Sequence, residues 1–317
     1  MTVLHDAEDL RSALESDARI GLTSHPRWLP PKYFYDGRGS ELFERITELP
    51  EYYPTRTERR ILEASASDIA GIADAEVLLE LGSGSSSKTG LLLDALEATG
   101  SLTTYVPVDV SPSALAGAAA ELSMTRPVLR ITPVVADFER HLSELPAPGR
   151  RLVAFLGSTI GNFTPVQRRK FLASLASSLR PGESVLIGFD LVKDPGRLVA
   201  AYDDSAGVTA EFNRNVLQVL NRELRADFVP EDFAHRAVWD ADNEWIEMRL
   251  RALDAMHVNI PALELELDLA AGEEIRTEIS SKFRREGVER DFATAGLTAT
   301  GWWTDPDGDY ALALARR

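Results

Sequence analysis

Apolar and polar positions follow different rhythms along this chain, and the rhythm changes near Thr57 and again near Gly196. Between those points, short apolar runs of strand length alternate with stretches of helical period. Val77-Leu78-Leu79-Glu80-Leu81 runs into glycines and then into Thr89 to Leu96, where Leu91, Leu92, Leu93 and Leu96 supply an apolar helix face. Tyr105 to Asp109 is the second expected strand, although Pro107 interrupts it; Ile131 to Ala136 is the third, Leu152 to Leu156 the fourth and Ser184 to Phe189 the fifth. Thr164-Pro165-Val166-Gln167 combines a capping Thr, Pro at the first helical position and Gln three residues after the cap. That helix is expected to run to about Leu179 and stop at Pro181-Gly182. Strands alternating with helices predict βαβ units and a parallel sheet wound right-handed.

Outside this block the pattern is different. The section up to about Arg56 is dense in Pro and aromatic residues, from His25 to Tyr35 and again from Leu49 to Pro54. Such prolines break regular structure while the rings need packing partners, so a folded lobe of short helices and loops is expected. Arg197 to Leu224 is helical in period, and Ala237 to Asp240 pairs with Trp245 to Leu253 across Ala241-Asp242-Asn243. Leu263 to Leu269 alternates strictly, the mark of a strand with one buried face. A last helix, Val288 to Ala295, leads to Thr298–Thr304 and Tyr310–Ala315, joined by Asp305-Pro306-Asp307-Gly308-Asp309 as a closing antiparallel hairpin. The expected division is therefore 57–196 with 282–317 as an α/β sheet domain, and 1–56 with 197–281 as a second α+β domain.

Composition narrows the function. The 317 residues suit two domains at about 100–200 residues each. Fifty acidic residues against 34 Lys and Arg give a formal charge of −16, which argues against a nucleic-acid or anionic-membrane partner. No cysteine is present, so disulfides, thiolate metal sites and a cysteine nucleophile are excluded together. The five His have no metal-ligand spacing, and no metal is expected. No apolar run reaches the roughly 18 residues of a spanning helix, and the acidic first residues do not resemble a secretory signal. The chain reads as a soluble, cytoplasmic protein, and a monomer suits its charge.

The loop Glu80-Leu81-Gly82-Ser83-Gly84-Ser85-Ser86-Ser87-Lys88-Thr89 admits three chemical readings. Glycines there let the backbone approach a ligand and expose helix N-terminal amides. A dinucleotide fingerprint needs glycine where Ser87 stands, and a phosphate loop needs glycine at that same position before Lys88. Glu80 beside the loop would also repel a triphosphate. The third reading is Glu-x-Gly-x-Gly, the pattern of S-adenosylmethionine-dependent methyltransferases, whose ligand carries a carboxylate and no phosphate. Asp109 at the second strand's end is placed to accept from ribose hydroxyls, and Asp137-Phe138 at the third offers a carboxylate and a ring for adenine. Each Asp alone reads equally well as a helix cap, and Lys88 alone as a solvated lysine. Strand ends in register are the stronger sign, because ligands in such sheets bind at the carboxyl ends of strands.

With Glu80-x-Gly82-x-Gly84, Asp109, Asp137-Phe138 and Phe155 to Asn162 in hand, the sequence resembles the class I methyltransferase core, with its Rossmann-like sheet. It is more closely similar to the L-histidine Nα-methyltransferases of ergothioneine biosynthesis. The likeness spans Leu29 to Asp36, Leu49 to Glu58, Ala201 to Asp204, Phe212 to Asn215 and Thr277 to Phe283, all outside the generic core. The resemblance implies trimethylation of the histidine α-amine, giving hercynine, with S-adenosylmethionine as methyl donor. It implies that Gly82, Lys88, Asp109, Asp137 and Phe138 hold the cofactor, with Gly157 lining its pocket. It implies that Asn162 and Tyr202 hold the substrate carboxylate and amine, that Tyr52 also touches substrate, and that Tyr35 lies beside the reacting nitrogen. Glu278 and Ser280 would grip the imidazole, the pair that separates histidine enzymes from relatives acting on a tryptophan-type amino acid. On the residues alone, Glu278 is an ordinary strand residue, Tyr202 a helix-surface aromatic, Asn162 a turn residue and the tyrosines lobe core.

The chemistry suits those residue types. Methyl transfer from a sulfonium is an in-line displacement, so the amine lone pair must be aimed; orientation supplies about 7–11 kcal/mol of a barrier in favourable cases. Tyr35 and Asn162 are the candidates for that aiming, with Tyr35 either orienting the amine or relaying its proton. Aromatic faces attract a growing quaternary ammonium by about 0.5–2 kcal/mol. A carboxylate at 278 and a hydroxyl at 280 match an imidazole's two nitrogens, and the expected cleft lies between the two domains. A P-loop nucleotide hydrolase and a non-catalytic cofactor-binding module are the rival classes.

Overall fold

The apolar runs between Thr57 and Gly196 assemble into one mixed sheet. In the computed structural model, which describes residues 1–4, 7–84, 88–146 and 148–317, the order is Thr2–Val3, Val134–Val135, Thr104–Asp109, Val77–Leu81, Arg151–Phe155, Ser184–Asp190, Tyr310–Arg316 and Thr298–Thr304. Neighbours are parallel as far as Ser184–Asp190. Tyr310–Arg316 and Thr298–Thr304 then close the sheet antiparallel, as the hairpin pattern predicts. The chain steps from Val77–Leu81 to one side for its next strands and later returns to its other side at Arg151–Phe155. This reversal beside Val77–Leu81 is the topological switch point of a doubly wound sheet, where such folds bind ligands.

The chain divides into two compact units: Met1–Asp6, Pro54–Val192 and Lys282–Arg317 form one, and Ala7–Tyr53 with Lys193–Ser281 the other. The first residues depart from the expected division, because Thr2–Val3 pairs in parallel with Val134–Val135 and so belongs with the sheet unit. Helix Pro54–Ala73 buries Ile61, Leu62 and Ile69 in one cluster with Leu312 and Leu314 of the sheet. Each such side chain contributes about 1.5–3 kcal/mol on burial. The expected capping box is present at Pro165–Ser178, where Thr164 accepts from Gln167 N and the Gln167 side chain accepts from Thr164 N. The run Ile131 to Ala136 is not one strand. It splits into Arg130–Ile131 and Val134–Val135, with Pro133 between them unable to donate to a ladder.

In the second unit the first helix, Ala7–Thr23, is 17 residues long, against the short helices expected; Leu14, Ala18 and Leu22 form its buried stripe. The helical stretch 197–224 divides into Pro195–Tyr202 and Val208–Leu224. Gly207 turns the chain at φ +73°, and the Asp204 carboxylate caps the new helix by accepting from Val208 N at 3.0 Å and Thr209 N at 2.7 Å. A four-stranded sheet runs Arg27–Trp28, Glu274–Ser281, Trp245–Ala252, Phe233–Asp240, and Met256–Ile260 pairs with Leu265–Leu269. The strictly alternating run begins at Leu265, because Pro261–Leu263 forms a 3-10 turn; Leu267 and Leu269 are buried. Glu274–Ser281 and Trp245–Ala252 shift register once: Met248 faces Glu278 while Arg249 faces Arg276, leaving Thr277 as the bulged residue.

Candidate active site

At the switch point, the strand Val77–Leu81 ends in a loop where Gly82 (φ +66°) and Gly84 (φ +48°) adopt left-handed backbone. Gly82 N donates to Val108 O at 2.8 Å, stitching the loop to the next strand. Asp109 ends that strand, its carboxylate accepting from Gly84 N at 3.0 Å and Ser111 N at 2.9 Å. Burial pushes the Asp109 carboxyl up from its ordinary value, against the pull of these N–H donors from Ser111 and Gly84. A Cβ added at Gly82 would lie 3.8 Å from the Phe138 ring, so bare backbone faces that ring. Phe138 in turn packs edge-on against Phe155, with ring centroids 5.2 Å apart. Asp137 is buried and caps the short helix Phe138–His141, accepting from Glu139 N at 2.9 Å. Ser87, on which the dinucleotide and phosphate-loop comparisons turn, lies outside the described residues, as do Ser85 and Ser86.

Lys88 and Gly157 meet: a Cβ at Gly157, itself at φ +74°, would stand 3.7 Å from Lys88 Nζ. Asn162 is half-buried at the end of the 3-10 turn Thr159–Asn162, which follows Ser158 at φ +55°. Ser158 Oγ accepts from Asp190 N at 2.9 Å and ties that turn to the neighbouring strand. This unit thus gathers Gly82, Lys88, Asp109, Asp137, Phe138, Gly157 and Asn162 on loops that leave parallel strands. These groups fit an adenosyl amino acid: two bare glycine backbones, a ring, two accepting carboxylates and a donating ammonium.

Tyr35, Tyr52, Tyr202, Glu278 and Ser280 belong to the second unit. Tyr202 ends the helix Pro195–Tyr202, and its hydroxyl shares a 2.7 Å hydrogen bond with Ser280 Oγ. Tyr52 meets Tyr202 edge-on at 6.3 Å and Phe43 at 6.1 Å; Tyr35 meets Phe43 at 5.5 Å. Glu278 and Ser280 stand two residues apart beyond the bulge, on one face of their strand. Glu278 is half-buried and Ser280 buried.

Two sets of residues around these positions have no role assigned from the sequence, although Glu58, Asn213 and Thr277 lie in segments that carry the family likeness. In the sheet unit, Glu58 is fully buried and accepts from Gly157 N at 2.8 and 3.0 Å. In the second unit, Thr277 Oγ1 donates to Asn213 Oδ1 at 2.6 Å, and Asn213 Nδ2 donates to His235 Nδ1 at 2.8 Å and Arg249 O at 3.1 Å. His235 Nε2 then donates to Tyr202 O at 2.7 Å. Because Nδ1 accepts and Nε2 donates, the network requires a neutral imidazole with its proton on Nε2. Burial lowers the His235 pKa, in keeping with that state. A lone Glu on the apolar stripe of a helix, and a glycine inside an apolar strand (Gly188), were the available signals for the first set. No short motif marks the second.

Comparison with known proteins follows the same line. Residues 14–317 match the family described as histidine-specific methyltransferase, SAM-dependent. A histidine N-alpha-methyltransferase of Mycolicibacterium smegmatis is 56% identical over 98% of this chain and 97% of its own length. One of Mycobacterium tuberculosis is 53% identical over 96% of this chain and 95% of its own. A 4-dimethylallyltryptophan N-methyltransferase of Claviceps purpurea is 36% identical over 92% of this chain and 91% of its own.

Proposed function

We propose, from the premise that this chain belongs to the histidine-specific, SAM-dependent methyltransferase family, that it transfers three methyl groups to the α-amine of L-histidine. The product is then hercynine, and the reaction opens ergothioneine biosynthesis. One observation carries the reading: near full-length likeness, at 56% and 53% identity, to two histidine N-alpha-methyltransferases. Family membership sets aside a nucleotide hydrolase and a non-catalytic module.

S-adenosylmethionine supplies an electrophilic methyl on sulfur when bound. In our reading, Asp109 accepts from the ribose hydroxyls, and Asp137 and Phe138 hold the adenine by hydrogen bond and ring contact. Lys88 faces the methionyl carboxylate, beside the bare backbone of Gly82 and Gly157. On the substrate, Asn162 and Tyr202 hold the carboxylate and amine, Tyr52 adds a ring contact, and Glu278 with Ser280 takes the imidazole nitrogens. The 2.7 Å bond between Tyr202 and Ser280 supports this grouping, since it keeps a proposed amine contact and a proposed ring contact in one register. Tyr35 and Asn162 aim the nitrogen lone pair, which attacks as the neutral amine after its proton leaves to water. Tyr35, Phe43 and Tyr52 form a connected aromatic wall, which favours the fixed cation that successive methylation creates. We read the enzyme as a metal-independent cytoplasmic monomer acting on a small molecule, without nucleic acid or membrane; the charge of −16 supports the last two exclusions.

The test is a mass measurement. Incubation with S-adenosylmethionine and L-histidine should add three methyl groups, all on the α-nitrogen by fragmentation. Addition on the ring, arrest at one methyl, or faster turnover of tryptophan than of histidine would overturn the reading.

A further inference from the structure

Beneath the glycine loop lies a carboxylate that no proposed ligand contact uses. Glu58, on helix Pro54–Ala73, is fully buried. Three groups converge on it: Lys88 Nζ in a close ion pair, Gly157 N at 2.8 and 3.0 Å, and Tyr310 Oη donating at 2.8 Å. Gly188, inside the strand Ser184–Asp190, makes the space. A Cβ there would stand 2.3 Å from Glu58 Oε1 and 2.4 Å from the Tyr310 hydroxyl. A buried carboxylate is costly unless paired and hydrogen-bonded, and here each oxygen has charged or N–H partners. Such a site is maintained against its desolvation cost, and two of its three partners, Lys88 and Gly157, are residues assigned above to the cofactor's amino-acid end.

We propose that Glu58 is a positioning residue: with Tyr310 and the cradle at Gly188, it anchors the Gly157 backbone and holds Lys88 beside it in the geometry that receives the cofactor's methionyl carboxylate. The inference rests on the cofactor reading given above. Lys88 has three N–H donors, and Glu58 fixes one of them, which orients the others. The cofactor's amino-acid end is a zwitterion with no net charge. Neutralising Glu58 therefore changes its net attraction little, while an amide NH₂ in place of the carboxylate oxygen displaces the lysine. Position decides the outcome, and the adenosine end is untouched.

That separation gives the test. Affinity for S-adenosylhomocysteine, which carries the amino-acid end, is compared by calorimetry with affinity for 5′-methylthioadenosine, which lacks it. Glu58→Gln and Gly188→Ala should each weaken S-adenosylhomocysteine at least tenfold while methylthioadenosine stays within twofold of wild type. KM for S-adenosylmethionine should rise more than kcat falls. Equal weakening of both ligands would mean Glu58 only supports the fold, and no weakening of either would remove it from the site; both overturn the proposal. Lys88→Met is the control on the underlying reading. If it leaves S-adenosylhomocysteine binding unchanged, the cofactor assignment of Lys88 fails and takes the proposal with it. If it is selective while Glu58→Gln is not, the proposal fails alone.

Discussion

Replacing Thr277 by Val tests whether the buried polar chain from the strand bulge to Tyr202 is as tightly specified as its geometry implies. Valine keeps the side-chain shape and removes the hydroxyl, which donates to Asn213 Oδ1 at 2.6 Å with Met248 O as a weaker second acceptor at 3.1 Å. Thr277 and Asn213 are both fully buried, so the orphaned amide oxygen has no water to turn to. An acceptor stranded this way costs about 1–3 kcal/mol. Asn213 also donates to His235 and Arg249 O, so it cannot rotate to recover a partner without breaking those bonds. The expected loss therefore sits in the upper half of that range. In a domain of this size each kcal/mol lowers Tm by roughly 2–4 °C, which thermal or urea unfolding resolves easily. Thr277→Ser retains the hydroxyl and removes a methyl group, costing about 1 kcal/mol, so serine should be the milder change. The bulge precedes Glu278 and Ser280, so Thr277→Val should also raise KM for histidine while S-adenosylhomocysteine affinity holds. A valine variant within about 0.5 kcal/mol of wild type, below the range for a stranded acceptor, or a serine variant less stable than valine, would refute the argument.

Other expectations follow from the same contacts. Glu278→Leu should sharply weaken histidine turnover and leave S-adenosylhomocysteine binding nearly intact; wild-type efficiency on histidine would remove that side chain from the imidazole site. Asp109→Ala should do the reverse, and unchanged calorimetric affinity for S-adenosylhomocysteine would take it out of the ribose site. Glu80 is pushed up to about 7, chiefly by burial and against hydrogen bonds from Tyr105 and Thr89. Because the folded value lies above the ordinary 4.5, its contribution to stability is complete below pH 4.5 and fades as pH rises to about 7, by about 3 kcal/mol. Glu80→Gln should abolish that slope, so the wild-type minus variant difference in urea unfolding must change over this window; a constant difference rejects the idea. His235 shifts the other way: burial lowers its pKa, so its contribution is complete above 6.5 and declines as pH falls below that value. Nitrogen NMR at pH 7 should show a neutral ring protonated on Nε2, and protonation on Nδ1 would contradict the network.

The fold was legible where one physical signal dominated. Val77–Leu81, Ser184–Asp190 and the closing hairpin Thr298–Thr304 with Tyr310–Arg316 are apolar runs bounded by turn residues, and they stand within a residue or two of expectation. The capping box at Thr164 was legible because all its parts are adjacent in sequence. Legibility failed where a local break competes with period: Pro133 splits an apolar run, and Asp204 with Gly207 divides one helical stretch into two. It also failed for long-range partners. Met256–Ile260 is a strand only because Leu265–Leu269 folds back on it, and Asn213 is a network hub only because residues 22 and 64 positions away reach it. The candidate site residues were named through resemblance, and periodicity alone would have left Tyr202 and Glu278 as surface positions.

Glu80 has a structural role that its place beside the glycine loop does not reveal. Its carboxylate was expected to bear on the ligand by repelling a triphosphate. Instead it is buried, accepting from Thr89 Oγ1 at 2.7 and 2.8 Å and from the Tyr105 hydroxyl. It fastens the start of the helix after the glycine loop to the neighbouring strand. With a pKa near 7 it carries only part of a charge at neutral pH. The electrostatic case against a phosphate ligand therefore rests elsewhere, on Lys88. A phosphate loop needs its lysine available to bridge phosphates, whereas here the buried Glu58 carboxylate already holds it in an ion pair. One ammonium shared with an internal carboxylate suits a ligand bearing a single carboxylate and an ammonium of its own. The same pair that weakens the nucleotide reading is the one whose disruption should separate S-adenosylhomocysteine from methylthioadenosine.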